Sequence, residues 1–294
     1  MSVEHPIIAV TGSSGAGTST ARRVFTRIFD ALGLEAAYVQ GDSFHAYDRE
    51  QMRALVEKAR IRGENFSHFG PGANLLDKLE KLFRDYGARG SGMTRRYLHS
   101  EDEARLADQP VGTFTPWARL PADTDVLFYE GLHGGVVTSE VNVARHVDLL
   151  IGVTPIVNLE WIQKIRRDRD ERGQSADDVA KTILRRLPDY VTYITPQFSR
   201  TDVNFQRVPL VDTSNPFVER EIPSQEESLV VINFRLNSRV EPDIGKLVDG
   251  IPEAFLSRPT TLVVPGPRMD EAMEATLRPA VRRLARARVK ALRS

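Results

Sequence analysis

The sequence predicts an α/β fold, with a mixed, mostly parallel central sheet flanked by helices. Short apolar runs without alternation, Ile7–Thr11 first among them, read as strands buried on both faces. Charged stretches of helical period separate these runs, the order expected when helices cover a parallel sheet. The 294 residues show no repeat, no low-complexity linker and no shift in composition, so one domain over residues 1–294 is expected.

The strand Ile7–Thr11 runs into a Gly/Ser-rich turn and a helix over Thr18–Leu32. Ala36–Gln40 is a second strand, closed by Gly41 and Asp42. Helices are expected over 48–62 and 74–86, then irregular chain rich in Gly, Arg and Pro over 87–121. Residues 125–130 form an apolar strand ending in Glu130, and a Gly-rich turn follows at 131–135. A buried strand at 147–153 precedes a charge-dense helix at 158–172. Residues 175–199 continue as helix with an interruption near Pro188. Strands at 207–212, 228–235 and 262–264 come before a long basic helix at 269–293.

Lys plus Arg and Asp plus Glu number 40 each, so no overall field draws the chain to nucleic acid or membrane. The absence of cysteine excludes disulfides and thiolate metal sites and fits a reducing cytoplasm. The N-terminus lacks a basic region and a long apolar run, so a cytoplasmic location with no membrane partner is expected.

Gly12-Ser13-Ser14-Gly15-Ala16-Gly17-Thr18-Ser19 has glycines at the first and sixth positions and a hydroxyl at the eighth. Glycines let backbone N–H groups curl around a polyphosphate, and the following helix aims its N-terminus at the negative charge. In this reading residues 12–20, Thr20 included, bind nucleotide, and the Ser19 hydroxyl reaches a Mg²⁺ bridging its phosphates. The bland alternative is a Gly/Ser turn, but strand, loop and helix are all in place. Thr18 stands where such loops carry Lys, so a cation must come from elsewhere in the chain.

In open α/β sheets, ligands gather at the C-terminal ends of strands, where Asp42 and Glu130 both lie. Phosphoryl transfer to a hydroxyl needs one carboxylate to take the proton and another to hold the metal. Asp42 is also a reasonable turn or cap residue, and Glu130 a reasonable surface acid. The stretch 164–172 is dense in cations, and helical spacing sets Lys164, Arg167 or Asp168, and Arg172 near one face. Such a face is usually solvated; here it also suits a closing lid over residues 158–187 that delivers the missing charge.

Several motifs, taken in order, resemble the bacterial members of the phosphoribulokinase/uridine kinase family. They are the glycine loop with Thr18, Gly41-Asp42-Ser43-Phe44-His45, Phe66-Ser67-His68-Phe69, the block from Phe128 to His133, that from Asn158 to Lys164, and that from Val211 to Phe217. The likeness extends from residue 5 to about residue 290. It implies a P-loop fold like that of nucleoside monophosphate kinases, with ATP and Mg²⁺ as cofactors. It implies transfer of the γ-phosphate to O1 of ribulose 5-phosphate, giving the CO₂ acceptor of the Calvin cycle.

Carried over by motif, Asp42 is the base, Ser19 and Glu130 the Mg²⁺ site, and Lys164, Arg167, Asp168 and Arg172 the charges of the lid. His45, Arg49, Arg53, Tyr97, His99 and Arg172 hold the sugar phosphate, with Arg53 where the family often has Lys. His133 reads as structural as readily as functional. The resemblance also implies a homo-octamer activated by NADH in an arginine-lined pocket at subunit contacts. Arg258 belongs to that set, but Ala31 and Asn233 stand where cations are expected, so the effector site is expected to be weakened.

The rival reading within the class is a uridine kinase-like or other P-loop small-molecule kinase. A guanine-nucleotide switch lacks its Asn-Lys-x-Asp motif here. The basic C-terminal helix suits nucleic acid or a membrane surface, but more often such a helix packs on its own domain.

Overall fold

The computed structural model describes residues 3–12, 18–172, 175–217 and 221–293. In chain order its first half contains β1 (Ile7–Thr11), α1 (Thr18–Leu32), β2 (Ala36–Gln40), α2 (Arg49–Ile61), α3 (Leu76–Arg89), β3 (Met93–Thr94), α4 (Glu101–Ala107), β4 (Ala118–Arg119) and β5 (Val126–Gly131). The second half contains β6 (Leu149–Pro155), α5 (Val157–Arg172), α6 (Ala176–Asp189), α7 (Thr195–Phe198), β7 (Val203–Pro209), β8 (Ser228–Phe234), α8 (Ile244–Gly250), β9 (Phe255–Arg258), β10 (Thr261–Pro265) and α9 (Met269–Ala291).

Eight strands form one sheet in the order β2-β5-β1-β6-β7-β8-β10-β9. The five from β2 to β7 run parallel, and β8, β10 and β9 continue antiparallel. All five residues of β1 are buried, as its unbroken apolar run requires. Alternate residues serve two cores: Ile8 and Val10 pack with Phe25 and Phe29 of α1 and Leu277 and Val281 of α9, while Ile7 and Ala9 pack with Leu79, Phe83 and Tyr86 of α3.

The C-terminal helix therefore packs on its own sheet. Arg23 grips Asp270 through two nitrogens at 2.8–3.1 Å, and Arg27 Nε lies 3.2 Å from Glu274, so α1 and α9 are cross-linked by charge as well as by burial. Among the described residues no helix is long and apolar enough to cross a membrane.

The structure corrects several boundaries. α6 runs through Pro188 to Asp189, and the irregularity comes next, as a π turn at Tyr190–Ile194. Near a helix end a proline costs one hydrogen bond, and the wider turn accommodates it without a break. β7 starts at Val203 rather than 207, its inward Val203 and Phe205 interleaved with polar Asn204 and Gln206. The stretch 87–121 contains α4, opened by a Ser100/Glu103 capping box, and the short β3–β4 ribbon. α8 and the edge strand β9, exposed at all four residues, carry little apolar signal.

One close approach positions the loops at the parallel strand ends. A Cβ on Gly131 would lie 2.7 Å from Gly41 Cα, and one on Gly41 would lie 2.6 Å from the Tyr129 hydroxyl. Gly12 N–H donates to the Gly131 carbonyl at 3.1 Å, so the turns after β1, β2 and β5 form a backbone stack. The atom that an added methyl would meet is main chain and cannot swing aside. Gly131→Ala is expected to cost about 1–3 kcal/mol, read from chemical or thermal unfolding. Gly245→Ala, whose new Cβ would meet nothing closer than Asp243 Oδ1 at 3.8 Å, should be neutral or stabilising.

Candidate active site

Asp42 sits in a 3₁₀ turn, Gly41–Phe44, at the C-terminal end of β2. Phe44 anchors the turn: its side chain is buried against Trp117, and its carbonyl accepts Leu75 N–H at 2.7 Å. His45 Nε2 lies 3.5 Å from one oxygen of Asp42, and His99 Nε2 lies 3.4 Å from the other. Tyr97 stands edge-on to both rings, with centroids 4.8 Å from His99 and 6.0 Å from His45.

Two further imidazoles close the group. His68 stacks on His45 at 4.1 Å, and His133 Nε2 meets the Phe69 carbonyl at 3.0 Å. Burial pushes His45 down to about 3, helped by His133, His99 and Arg95. Burial likewise holds His68 at about 3 and His133 at about 4, although the Asp42 charge pulls both the other way. These three rings are neutral at physiological pH. His133 serves the scaffold, since its contact is with a main-chain carbonyl in a fully enclosed site.

Glu130 is the last residue but one of β5, beside Val10 and Gln40 in the register of the sheet. Arg22 approaches its Oε1 at 3.6 Å, while its Oε2 is buried without a hydrogen-bond partner. Burial raises its pKa, Arg22 opposes this, and the Asp42 charge adds to the rise. The two carboxylates expected from their strand ends thus belong to one electrostatic site.

Arg49 opens α2, with its N–H on the Gly112 carbonyl at 2.8 Å and its Nη2 on the His99 carbonyl at 3.2 Å. Arg53 is exposed one turn further along. α5 and α6 form a helical pair closed by Ile165, Val179 and Ile183, with Trp161 against them and Lys164 half-buried on α5. Ser13, Ser14, Gly15, Ala16 and Gly17, and the side chains of Thr18, Ser19, Arg167, Asp168 and Arg172, lie outside the described residues.

The structure also brings in residues that no motif reading marked for a role. Arg95 donates to the carbonyls of Ser43 and His45, on either side of Phe44. Its alternation with Tyr97 and His99 was the available signal. Gln197, fully buried, accepts Gly135 N–H at 2.9 Å and donates to the Leu132 and Tyr193 carbonyls at 2.8 Å, tying the loop after Glu130 to the π turn below the helical pair. Ser67 reaches Asp189 at 2.6 Å, and Phe69 packs on Tyr190.

Residues 7–214 match the phosphoribulokinase / uridine kinase family. The chain belongs to this family. It is 56% identical over 292 residues to the plasmid-encoded phosphoribulokinase of Cupriavidus necator, covering 99% of each chain. It is 56% identical over 284 residues to a probable phosphoribulokinase of Escherichia coli, covering 97% of this chain and 98% of that one. The solved phosphoribulokinase from Rhodobacter spheroides superposes with a TM-score of 0.89 at 47% identity, covering 98% of this chain and all of that one. Membership of this family of P-loop kinases makes the protein a kinase that uses ATP.

The neutral imidazoles carry a pH signature. Unfolded histidine binds its proton near pH 6.5. The folded rings of His45, His68 and His133 hold out to about 3, 3 and 4. Below pH 6.5 the unfolded state therefore binds more protons, so stability falls as pH falls from about 6.5 towards 4. Each ring contributes up to about 1.4 kcal/mol per pH unit. Urea unfolding at stepped pH checks this, and His68→Phe should make the slope shallower.

Proposed function

We infer that this protein transfers the γ-phosphate of ATP to O1 of D-ribulose 5-phosphate, giving D-ribulose 1,5-bisphosphate and ADP. The observation that carries the reading is the Asp42 carboxylate, set between His45 and His99 beside Glu130, in a chain 56% identical to a phosphoribulokinase along nearly its whole length. Asp42 takes the proton of the attacking hydroxyl. Neutral His45 aligns the carboxylate without the Coulomb penalty that a cation would impose on its basicity.

Arg49, Arg53, His45, Tyr97 and His99 hold the phosphate and hydroxyls of the sugar, the paired guanidiniums matching a doubly charged group. Residues 12–20 cradle the nucleotide. Lys164, Arg167 and Arg172, with Asp168, close over it and replace the loop lysine that Thr18 displaces. Mg²⁺ fits the donor set: the buried, unpartnered oxygen of Glu130 is a hard anionic ligand. Among the described residues no cluster of three metal-binding side chains exists. That accords with an ion held by Ser19, Glu130 and the nucleotide's phosphates. When bound, Mg²⁺ neutralises charge on the β- and γ-phosphates.

The chain acts as one P-loop kinase domain in the cytoplasm, assembled as a homo-octamer. An NADH effector site would be short of cations. Asn233 is tied to Thr261 within the sheet, Ala31 lies on the exposed side of α1, and Arg258 ends the edge strand.

Asp42→Asn should leave fold and ATP binding intact and lower turnover about 10²- to 10⁴-fold. An ADP-release assay offering ribulose 5-phosphate, ribose 5-phosphate, uridine and pantothenate tests both base and acceptor. Preference for uridine would move the protein to the other branch of its family. NADH should raise activity at subsaturating ATP only slightly; strong activation at micromolar NADH would place the effector on other residues.

A further inference from the structure

We propose that Arg95 is a positioning residue for phosphoryl transfer, its guanidinium fixing the turn that presents Asp42. The proposal rests on the assignment of Asp42 as the base. Arg95 lies on the extended stretch between β3 and α4, on the same face as Tyr97 and His99. Its Nε donates to the Ser43 carbonyl at 2.9 Å and its Nη2 to the His45 carbonyl at 2.6 Å. One planar fork therefore sets two peptide planes just beyond Asp42, and one of them belongs to the histidine that meets the Asp42 carboxylate.

The fork is itself held in place. Its carbon lies 3.6 Å from the Phe114 ring centroid and 4.8 Å from that of Trp117. Trp117 in turn packs on Phe44, the anchor of the same turn. Phe114 and Tyr97 pair across the ribbon, with rings 5.2 Å apart. Stack and fork thus join the base turn to the strand that carries Tyr97 and His99. The two sides of the acceptor site move as one piece.

Lysine cannot reproduce this. A single ammonium reaches one carbonyl or the other and lacks the plane that lies on Phe114. A displacement of the base by about 1 Å is enough to cost about 10²-fold in rate.

The experiment measures Arg95→Lys and Asp42→Asn, singly and combined, with ATP and ribulose 5-phosphate, alongside thermal unfolding of each. Arg95→Lys alone should lower kcat about 10- to 100-fold with KM for ATP unchanged. In the Asp42→Asn background the same change should cost less than about 3-fold, because residues acting through one group are not additive. Near-normal kcat in Arg95→Lys overturns the proposal, as does an equal loss in both backgrounds, which would mark a structural role only. Near-normal kcat in Asp42→Asn removes the base assignment itself, and the proposal falls with it. If Arg95→Lys fails to fold, Phe114→Leu is read in the same cycle. It loosens the stack but keeps the cation, so a smaller, non-additive loss supports the proposal and an unchanged kcat overturns it.

Discussion

Gly41 and Gly131 run in backbone contact, and the arrangement of the site follows from that contact. The turns that bear Asp42 and Glu130 leave neighbouring parallel strands, and any side chain between them would force them apart. The Gly12 amide joins the same stack from the next strand. Three turns far apart in sequence are thereby brought together by main-chain contact. Asp42, Glu130 and Gly12 owe their proximity to two missing methyl groups.

Around that stack the protein separates neutral polarity from charge. His45, kept neutral by burial, meets one oxygen of the Asp42 carboxylate, and neutral His68 stacks on its ring. The cations expected to meet the phosphates stand on α2 and α5. A cation buried beside Asp42 would have to lose its hydration and would lower the basicity of that carboxylate. Arg95 is the exception that fits the pattern, since its fork is committed to two carbonyls and its faces to aromatic rings.

β1, β5 and β6 were legible because burial on both faces leaves an unmistakable apolar run. Asp42 and Glu130 were legible because each follows such a run directly. The parallel strand β7 and the antiparallel edge were harder. β7 hides behind polar residues that satisfy one another, as Asn204 does with Thr201, and β9 has no buried residue to announce it. His68, Arg95 and Gln197 escaped a role for another reason: the His45 ring, the Ser43 and His45 carbonyls and the Leu132 carbonyl that they meet lie 23 to 65 residues away, and no spacing rule reaches that far. The motif containing His68 was visible, but its stacking on His45 was not.

The ion pairs between α1 and α9 span 247 residues of chain. α1, which follows the glycine loop in the chain, leans on α9. Contacts of such long separation form late, because the entropy of closing the intervening chain must be met first. Truncation before α9 would strip α1 of its apolar cover and of the ion pairs on its outer face.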